Sequence, residues 1–220
     1  MDDFYKVAPK PNQLVIAFSG PSTCGKSTVI KSLIGQYNDK IDITVLLLDT
    51  FFFNSGNIPK TKMRGETIMN YDLKQSINWE SYFQKFKKTD TSIIFLDGFI
   101  TFADERSQDI VDILITFEYN IDTDFELALS RRIHRKKMWR NIEIPKDYLE
   151  NSFVDKLNYS CTYFHDVVWQ EMLKHPEYRK PSDWNKPILI LSATDSIQNN
   201  IEKTKAFLRP FLEEKMKSDF

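Results

Sequence analysis

Five short apolar runs punctuate the chain, at residues 14–19 (LVIAFS), 43–48 (ITVLLL), 92–96 (SIIFL), 110–117 (IVDILITF) and 188–191 (ILIL). They are near-continuous rather than alternating, and rich in β-branched residues. A strand reads this way when both of its faces are covered, as in a parallel sheet. Between the runs, apolar residues recur at helical spacing. Residues 26–37 predict a first helix. Trp79, Phe83 and Phe86 mark a second, with Ser76 or Asn78 as its cap. Residues 122–140 predict a third, capped by Asp122, Thr123 or Asp124. It starts acidic and ends basic, as the helix dipole favours. A fourth is expected around residues 153–173. A fifth spans 197–216, with Ile201, Leu208 and Leu212 on one stripe and Pro210 expected to disturb it. Strands alternating with helices predict an α/β fold: a parallel sheet of about five strands with helices on both faces.

Other stretches carry no period. Residues 1–13, with Pro9 and Pro11, read as a flexible leader. Residues 50–70 contain Gly56, Pro59 and Gly65 and read as a long irregular loop. A loop of that length in a compact domain is usually functional. Residues 144–186 are the least readable third. A chain of 220 residues without internal repeats predicts one domain, with a small lid or insertion.

Composition narrows the partners. Aromatics make up 14% of the chain, 17 of them Phe, so the core is expected to lean on aromatic rings. A net charge of −1 supplies no bulk field towards nucleic acid or an anionic membrane. Two cysteines, Cys24 and Cys161, argue against a disulfide framework and suit a reducing compartment. No apolar run approaches the length of a membrane span, and the polar N-terminus lacks a signal-peptide core. Cytosol or nucleus is the expected location. The sequon at Asn158-Tyr159-Ser160 reads as chance in that setting. His134, His165 and His175 show neither metal-ligand spacing nor a nucleophile partner, and are read as structural or surface residues.

The chemistry begins where the first run ends. Gly20 is followed by Gly25, Lys26 and Ser27 at the spacing G-x-x-x-x-G-K-[ST]. A strand, a glycine-bracketed loop and a helix start, in that order, cradle phosphates with backbone N–H groups and the positive end of a helix. Gly20, Pro21, Ser22, Thr23, Cys24, Gly25, Lys26, Ser27 and Thr28 form the expected ATP-binding set. Lys26 would reach the β- and γ-phosphates and Ser27 would hold Mg²⁺. Cys24 either has a lowered thiol pKa in this loop or is simply a small residue that fits.

In such a sheet, ligands bind at the carboxyl ends of the strands. Asp49 ends the second run and Asp97 the third, so both should face the phosphate loop. Asp97 is expected beside Ser27 at the metal, or else bonded to its own turn. Two jobs are open to Asp49: ordering the metal, and accepting the proton of an attacking hydroxyl. A strand-end turn is the plainer role. The third helix carries Arg131, Arg132, Arg135, Lys136, Lys137 and Arg140 near its end. Arg131 and Arg135 share a face and suit a lid, at about residues 123–140, that closes over ATP. A solvated basic face and a nucleic-acid patch are the other readings, the last weakened by the scarcity of interleaved aromatics. Tyr71-Asp72 can hold a sugar through its carboxylate and flank a ring. A core tyrosine beside a helix-capping aspartate looks the same.

Taken in order, GPSTCGKST, LLLDTFFF, YD, IIFLDGF and SRRIHRKK resemble the nicotinamide riboside kinases, in the uridine-kinase-like group of small-molecule P-loop kinases. The likeness runs from residue 14 to about 137 and resumes at the last strand and helix. It implies a P-loop NTPase-type fold with a small helical lid. It also implies an ATP- and Mg²⁺-dependent phosphotransferase with an alcohol acceptor, the 5′-hydroxyl of nicotinamide riboside, in NAD salvage. On the same resemblance Asp49 is the catalytic base and a metal contact, with Ser27 and Asp97 also at the metal. Phe52, Tyr71, Asp72 and Arg132 hold the substrate ring and ribose, in an acceptor segment over about residues 50–72. Arg131 and Arg135 contact ATP, and Ala193, Thr194 and Asp195 form the adenine loop.

The chain also departs from the family. Thr50 stands where many members have a second Asp, and Asp97 where animal members often have Glu. KKMWR stands where a tyrosine helps sandwich the ring, which makes Trp139 a candidate substrate contact. Uridine, cytidine or pantothenate are the rival acceptors on the same fold. A regulatory protein that binds ATP without phosphorylating anything is a rival of another class, opposed by Asp49 and Asp97. An RNA-binding adaptor built on the basic helix is opposed by the near-zero net charge. A monomer or weak homo-oligomer is expected, with no nucleic acid or membrane as partner.

Overall fold

A computed structural model describes residues 7–218 of the chain. In chain order the elements are β1 (Leu14–Ser19), α1 (Lys26–Tyr37), β2 (Ile43–Leu47), β3 (Lys60–Met63), β4 (Glu66–Met69), α2 (Trp79–Lys88), β5 (Ile93–Gly98), α3 (Arg106–Ile110), β6 (Ile113–Glu118), α4 (Phe125–His134) and α5 (Lys156–Tyr163). A π-helical turn (Phe164–Trp169) and α6 (Gln170–Lys174) continue α5, and β7 (Ile188–Ser192) and α7 (Ile197–Ser218) complete the fold.

The five long strands form one parallel sheet in the order β2-β5-β1-β6-β7. The continuous apolar runs are explained by its two covered faces. Ile16 and Phe18 of β1 join Ile93, Phe95, Ile115 and Phe117 in a core packed against α1, α4, the helix around residues 161–172 and α7. Their neighbours Val15, Ala17, Ile94, Leu96 and Leu114 face the other way, onto Tyr82, Phe83 and Phe86 of α2. Burying a large apolar side chain contributes about 1.5–3 kcal/mol, so each strand is held from both sides. After β5 the chain crosses over β1 to reach β6. The phosphate loop after β1 therefore lies where the direction of winding reverses, the point at which such sheets open a crevice.

Several elements differ from the sequence expectation. Residues 60–69 form a β-hairpin inside the expected irregular loop. Its two-residue turn, Arg64-Gly65, has φ of +50° and +87°, the left-handed pair that matches strand twist. Residues 106–110 are helical, so the fourth strand of the sheet starts at Ile113 rather than at residue 110. Helix α4 ends at His134 instead of running to residue 140, and a 3-10 turn over Lys137–Trp139 follows. Asn78 is the cap of α2, accepting from the Ser81 N–H at 3.0 Å. Helix α7 carries on through Pro210 to Ser218.

Of the expected leader, residues 1–6 lie outside the described residues. Residues 7–13 have no regular secondary structure, but they are pinned to the body. Val7 is buried against the α2 core, and the Gln13 side chain donates to the Thr89 and Thr91 carbonyls. Cys24 and Cys161 are buried free thiols. Among the described residues no helix is long and apolar enough to cross a membrane.

Candidate active site

All five strands end on the same side of the sheet, and the residues that follow β1, β2 and β5, with α4 and Tyr163, enclose a cleft of about 760 Å³. Its floor is the phosphate loop. Gly20 leaves β1 with φ +141°, and a Cβ there would lie 2.6 Å from the Phe117 carbonyl oxygen, so only glycine lets the loop turn this close to β6. Helix α1 starts after Gly25 with no side-chain cap bond and no acid in its first turn. The helix start therefore carries no side-chain group that competes with an anion for its positive end. The Lys26 ammonium donates to the Gly20 and Pro21 carbonyls at 2.8 and 2.9 Å. Cys24 is buried beneath the loop. Burial raises its thiol pKa, with Lys26 nearby acting in the opposite direction.

Ser27 and Asp97 meet as the spacing predicts: the Ser27 hydroxyl donates to Asp97 Oδ2 at 2.7 Å. Asp97 is a buried carboxylate at the end of β5, bonded to the loop hydroxyl rather than to its own turn. A hydroxyl and a carboxylate are the hard oxygen donors that suit Mg²⁺, which keeps its other positions for water and phosphate. Among the described residues no cluster of three or more His, Cys, Asp or Glu side chains forms an all-protein cage. The donor set fits Mg²⁺ shared with a nucleotide.

Asp49 stands in a 3-10 turn (Leu48–Phe51) that follows β2 and opens onto the same cleft. Asp49 is exposed to solvent in the open cleft, and the partial desolvation contributed by the cleft walls raises its pKa. Asp97 adds to the shift, and Lys26, Arg135 and Arg132 oppose it. A raised carboxylate pKa makes a better proton acceptor near neutrality.

The far wall is aromatic and acidic. Phe52 lies edge-to-face with Tyr71, ring centroids 5.4 Å apart, and Phe99 lies behind it. Asp72 is pushed up to about 6, by burial first, with Arg132 and a Tyr163 hydroxyl bond acting against the shift. Tyr163 donates to Asp72 Oδ2 at 3.4 Å and accepts the Tyr71 N–H at 3.1 Å. The hairpin bearing this wall is tied to the helix beyond by Arg64, whose Nε donates to Asp166 Oδ2 at 2.6 Å. Burial works against ionisation of Asp166, but bonds from Arg64 and His165 hold its pKa below the usual range.

Arginines form the roof. Arg131, Arg132 and Arg135 all line the cleft. Arg131 donates to the Ala193 carbonyl, joining α4 to the loop after β7, and Arg132 donates to Ser22 Oγ at 2.9 Å. Lys136, Lys137 and Arg140 are exposed. The basic run thus divides, three arginines facing the cleft and the rest solvated, because α4 stops at His134. Ala193 is buried, and Asp195 bonds Lys203 and Asn199 of α7. Neither Thr194 nor Asp195 is among the residues lining the cleft.

Ala193 does not line the cleft either, and a further expected contact, Trp139, is not brought in. Trp139 is buried in the core with Lys136 Nζ 4.4 Å from its ring centroid, and does not line the cleft. The early end of α4 turns the chain back onto the body at this point. Tyr163, Phe99 and Leu47 line the cleft without a sequence-based expectation of a role there, and His134, expected to be a structural or surface residue, lines it too. Tyr163 lies in the poorly patterned third, where nothing local marks it. Phe99 directly follows Asp97-Gly98 and was within reach of the motif.

The family model for ATPases associated with various cellular activities (AAA) matches residues 16–132, more than half of the chain. The chain belongs to that family. The matched segment runs from β1 into α4, so it spans the phosphate loop, both strand-end acids and the first two arginines of the roof. Among solved structures, a candidate fructose transport system kinase from Silicibacter sp. TM1040 is similar with a TM-score of 0.51 at 14% identity, over 80% of this chain and 91% of that one. A candidate uridine kinase from Bacillus stearothermophilus has a TM-score of 0.48 at 12% identity, over 82% and 90% of the two chains. A sugar kinase from Janibacter sp. HTCC2649 has a TM-score of 0.46 at 13% identity, over 90% and 95%. Identities this low speak to the fold alone: a P-loop NTPase-like α/β domain with a five-stranded parallel sheet. No curated protein sequence matches the chain.

Proposed function

We propose that this protein is a kinase that transfers the γ-phosphate of ATP to the 5′-hydroxyl of nicotinamide riboside. The observation that carries the reading is the convergence of two differently built walls on one cleft. The phosphate loop with the Ser27–Asp97 pair suits a metal-bound triphosphate, and the Phe52, Tyr71, Asp72 wall suits a ribosyl ring compound. Asp49 stands between them. Binding a nucleotide for regulation alone needs no such second wall.

In this reading Lys26 exchanges its loop carbonyls for the β- and γ-phosphate oxygens, and the N–H groups of the loop and of α1 hold the rest. Ser27 and Asp97, with Asp49 nearby, would hold Mg²⁺, which supplies charge neutralisation at the phosphoryl oxygens. Asp72 and Arg132 hold the sugar. Asp49 orients the 5′-oxygen and takes its proton as the new O–P bond forms and the bond from the γ-phosphorus to the β,γ-bridging oxygen breaks, releasing ADP. Transfer of a phosphoryl group depends more on such placement than on base strength. Arg131 and Arg135 close over the donor as a lid at residues 123–140. Residues 50–72 form the acceptor segment, and Ala193, Thr194 and Asp195 the adenine loop.

The burial of Trp139 favours a second reading, a kinase of the same fold for uridine or cytidine. That burial removes one ring contact which the resemblance assigned to a pyridine ring. The test is an acceptor panel with Mg-ATP, scored by acceptor-dependent ADP release. Turnover of nicotinamide riboside above the pyrimidine nucleosides supports the first reading. Turnover of uridine alone replaces it with the second, and ATP binding without any acceptor-dependent release removes both.

A further inference from the structure

A small inner pocket of about 20 Å³ opens off the acceptor side of the cleft, sharing Ser22, Asp72 and Phe99 with it. One water needs roughly 10–15 Å³, so the pocket has room for a small polar substituent and not for a ring. The π-helical turn shapes its apolar side, placing Phe164, Val168 and Trp169 on the lining. The one cation on that lining is Arg179.

Arg179 is poorly compensated. It donates Nη2 to the Met172 carbonyl at 2.6 Å, and among the described residues no carboxylate lies within ion-pair distance of it. Burial pulls its pKa down to about 10, with Glu177 and Glu118 opposing from further away. A guanidinium has five N–H donors; among the described residues only Nη2 is used within the protein, and the other nitrogens are not among the buried atoms left without a partner, so they stay accessible to an oxygen entering the pocket. Asp72 and Glu171 stand on the same lining and accept N–H groups. Their charge disfavours a second carboxylate there. The pocket therefore suits a group with a carbonyl oxygen at one end and N–H donors at the other.

We propose that Arg179 is a specificity-determining residue that binds the carbonyl oxygen of a carboxamide-type substituent on the acceptor's ring. This rests on the kinase reading above, but not on one ring. The plainer role is structural, with Arg179 only anchoring the end of α6 through the Met172 carbonyl.

The experiment compares kcat/KM for two acceptor pairs with the wild type, R179K and R179M. One pair is nicotinamide riboside and the pyridine riboside lacking the carboxamide. The other is uridine and the pyrimidin-2-one riboside lacking the second carbonyl. The wild type is expected to favour the substituted member of the pair it phosphorylates by at least about tenfold. R179M should erase that preference by lowering the substituted member alone, with the ATP KM unchanged, and R179K should restore part of it. Equal wild-type rates within the pair overturn the proposal whether or not R179M folds. So does a loss in R179M that falls alike on both members. Turnover of the uridine pair only overturns the nicotinamide riboside assignment and leaves Arg179 to be judged on that pair. Turnover of neither overturns both.

Discussion

At the residue scale the site depends on carboxylates set to different tasks by their surroundings. Asp97 is tied to Ser27, whereas Asp49 has a raised pKa and faces the space between the walls. Asp49→Asn keeps the shape and removes the proton acceptor. It should lower kcat by about three orders of magnitude or more, combining general-base and positioning losses, while ATP affinity measured by titration stays within a few fold. Activity within a few fold of the wild type would remove Asp49 from the reaction.

Asp72 carries a pH dependence with a definite sign. In the folded protein it keeps its proton up to about 6, whereas the unfolded chain releases it at about 4. This group therefore stabilises the ligand-free fold at low pH, and that contribution is lost as pH rises from the lower value through the higher. Acceptor binding should run the opposite way, because the ionised carboxylate is the better partner for sugar hydroxyls. The acceptor KM should fall as pH is raised from 5 to 7, and Asp72→Asn should flatten that part of the profile. A wild-type KM independent of pH over this range would contradict the role.

At the element scale, the residues that flank hairpin β3–β4 (Phe52, Tyr71 and Asp72) and Tyr163 of α5 form the aromatic and acidic wall jointly. The hairpin is linked to the continuation of that helix by the Arg64–Asp166 pair, with side chains 42% and 20% exposed. A pair that open to solvent contributes at most about 1 kcal/mol to stability, so its value lies in fixing the hairpin, and with it Tyr71 and Asp72, against the helix that carries Tyr163. Arg64→Ala should leave the unfolding free energy within that margin. It should raise the acceptor KM about threefold, the equivalent of some 0.6 kcal/mol, with the ATP KM unchanged. A change confined to ATP would mean that the hairpin serves the donor instead.

The first half of the fold was largely legible because its signals are local. The boundaries of β1 and α1 follow from a continuous apolar run, a fixed glycine spacing and a helical stripe. The hairpin was hidden because its strands, KTKM and ETIM, are short and half polar, and its turn is Arg-Gly rather than the stronger Asn-Gly. Helix α4 was predicted too long because residues 135–140 keep helical composition, whereas burial of Trp139 bends the chain away. Tyr163 and Arg179 had no local signal. They reach the site only because a long helix packs against α4 and the phosphate loop.

At the scale of the whole molecule, the parallel sheet delivers five strand ends to one edge, so residues far apart in the chain share one cleft. Helix α4 is joined there to the phosphate loop by Arg132 on Ser22 and to the loop after β7 by Arg131 on Ala193. Mg-ATP should therefore stabilise the protein as a unit. At a hundred times its dissociation constant the gain is about 2.7 kcal/mol, read as a rise in Tm. Ser27→Ala should remove most of the Mg²⁺-dependent part of that rise. A Tm that does not respond to Mg-ATP would argue that the cleft does not hold the nucleotide.

The amino-acid sequence by itself determined the fold class, the phosphate loop and the two strand-end acids. Each rests on neighbouring residues, and a strand, a tight glycine turn and a helix start are decided within a few residues of chain. Only the tertiary structure decided which side chains complete the second wall. It turned Trp139 into the core, brought Tyr163 to Asp72, and divided the basic run into cleft and solvent. The direction of a side chain depends on where its helix stops and on what packs against it, and that information is spread over the whole chain.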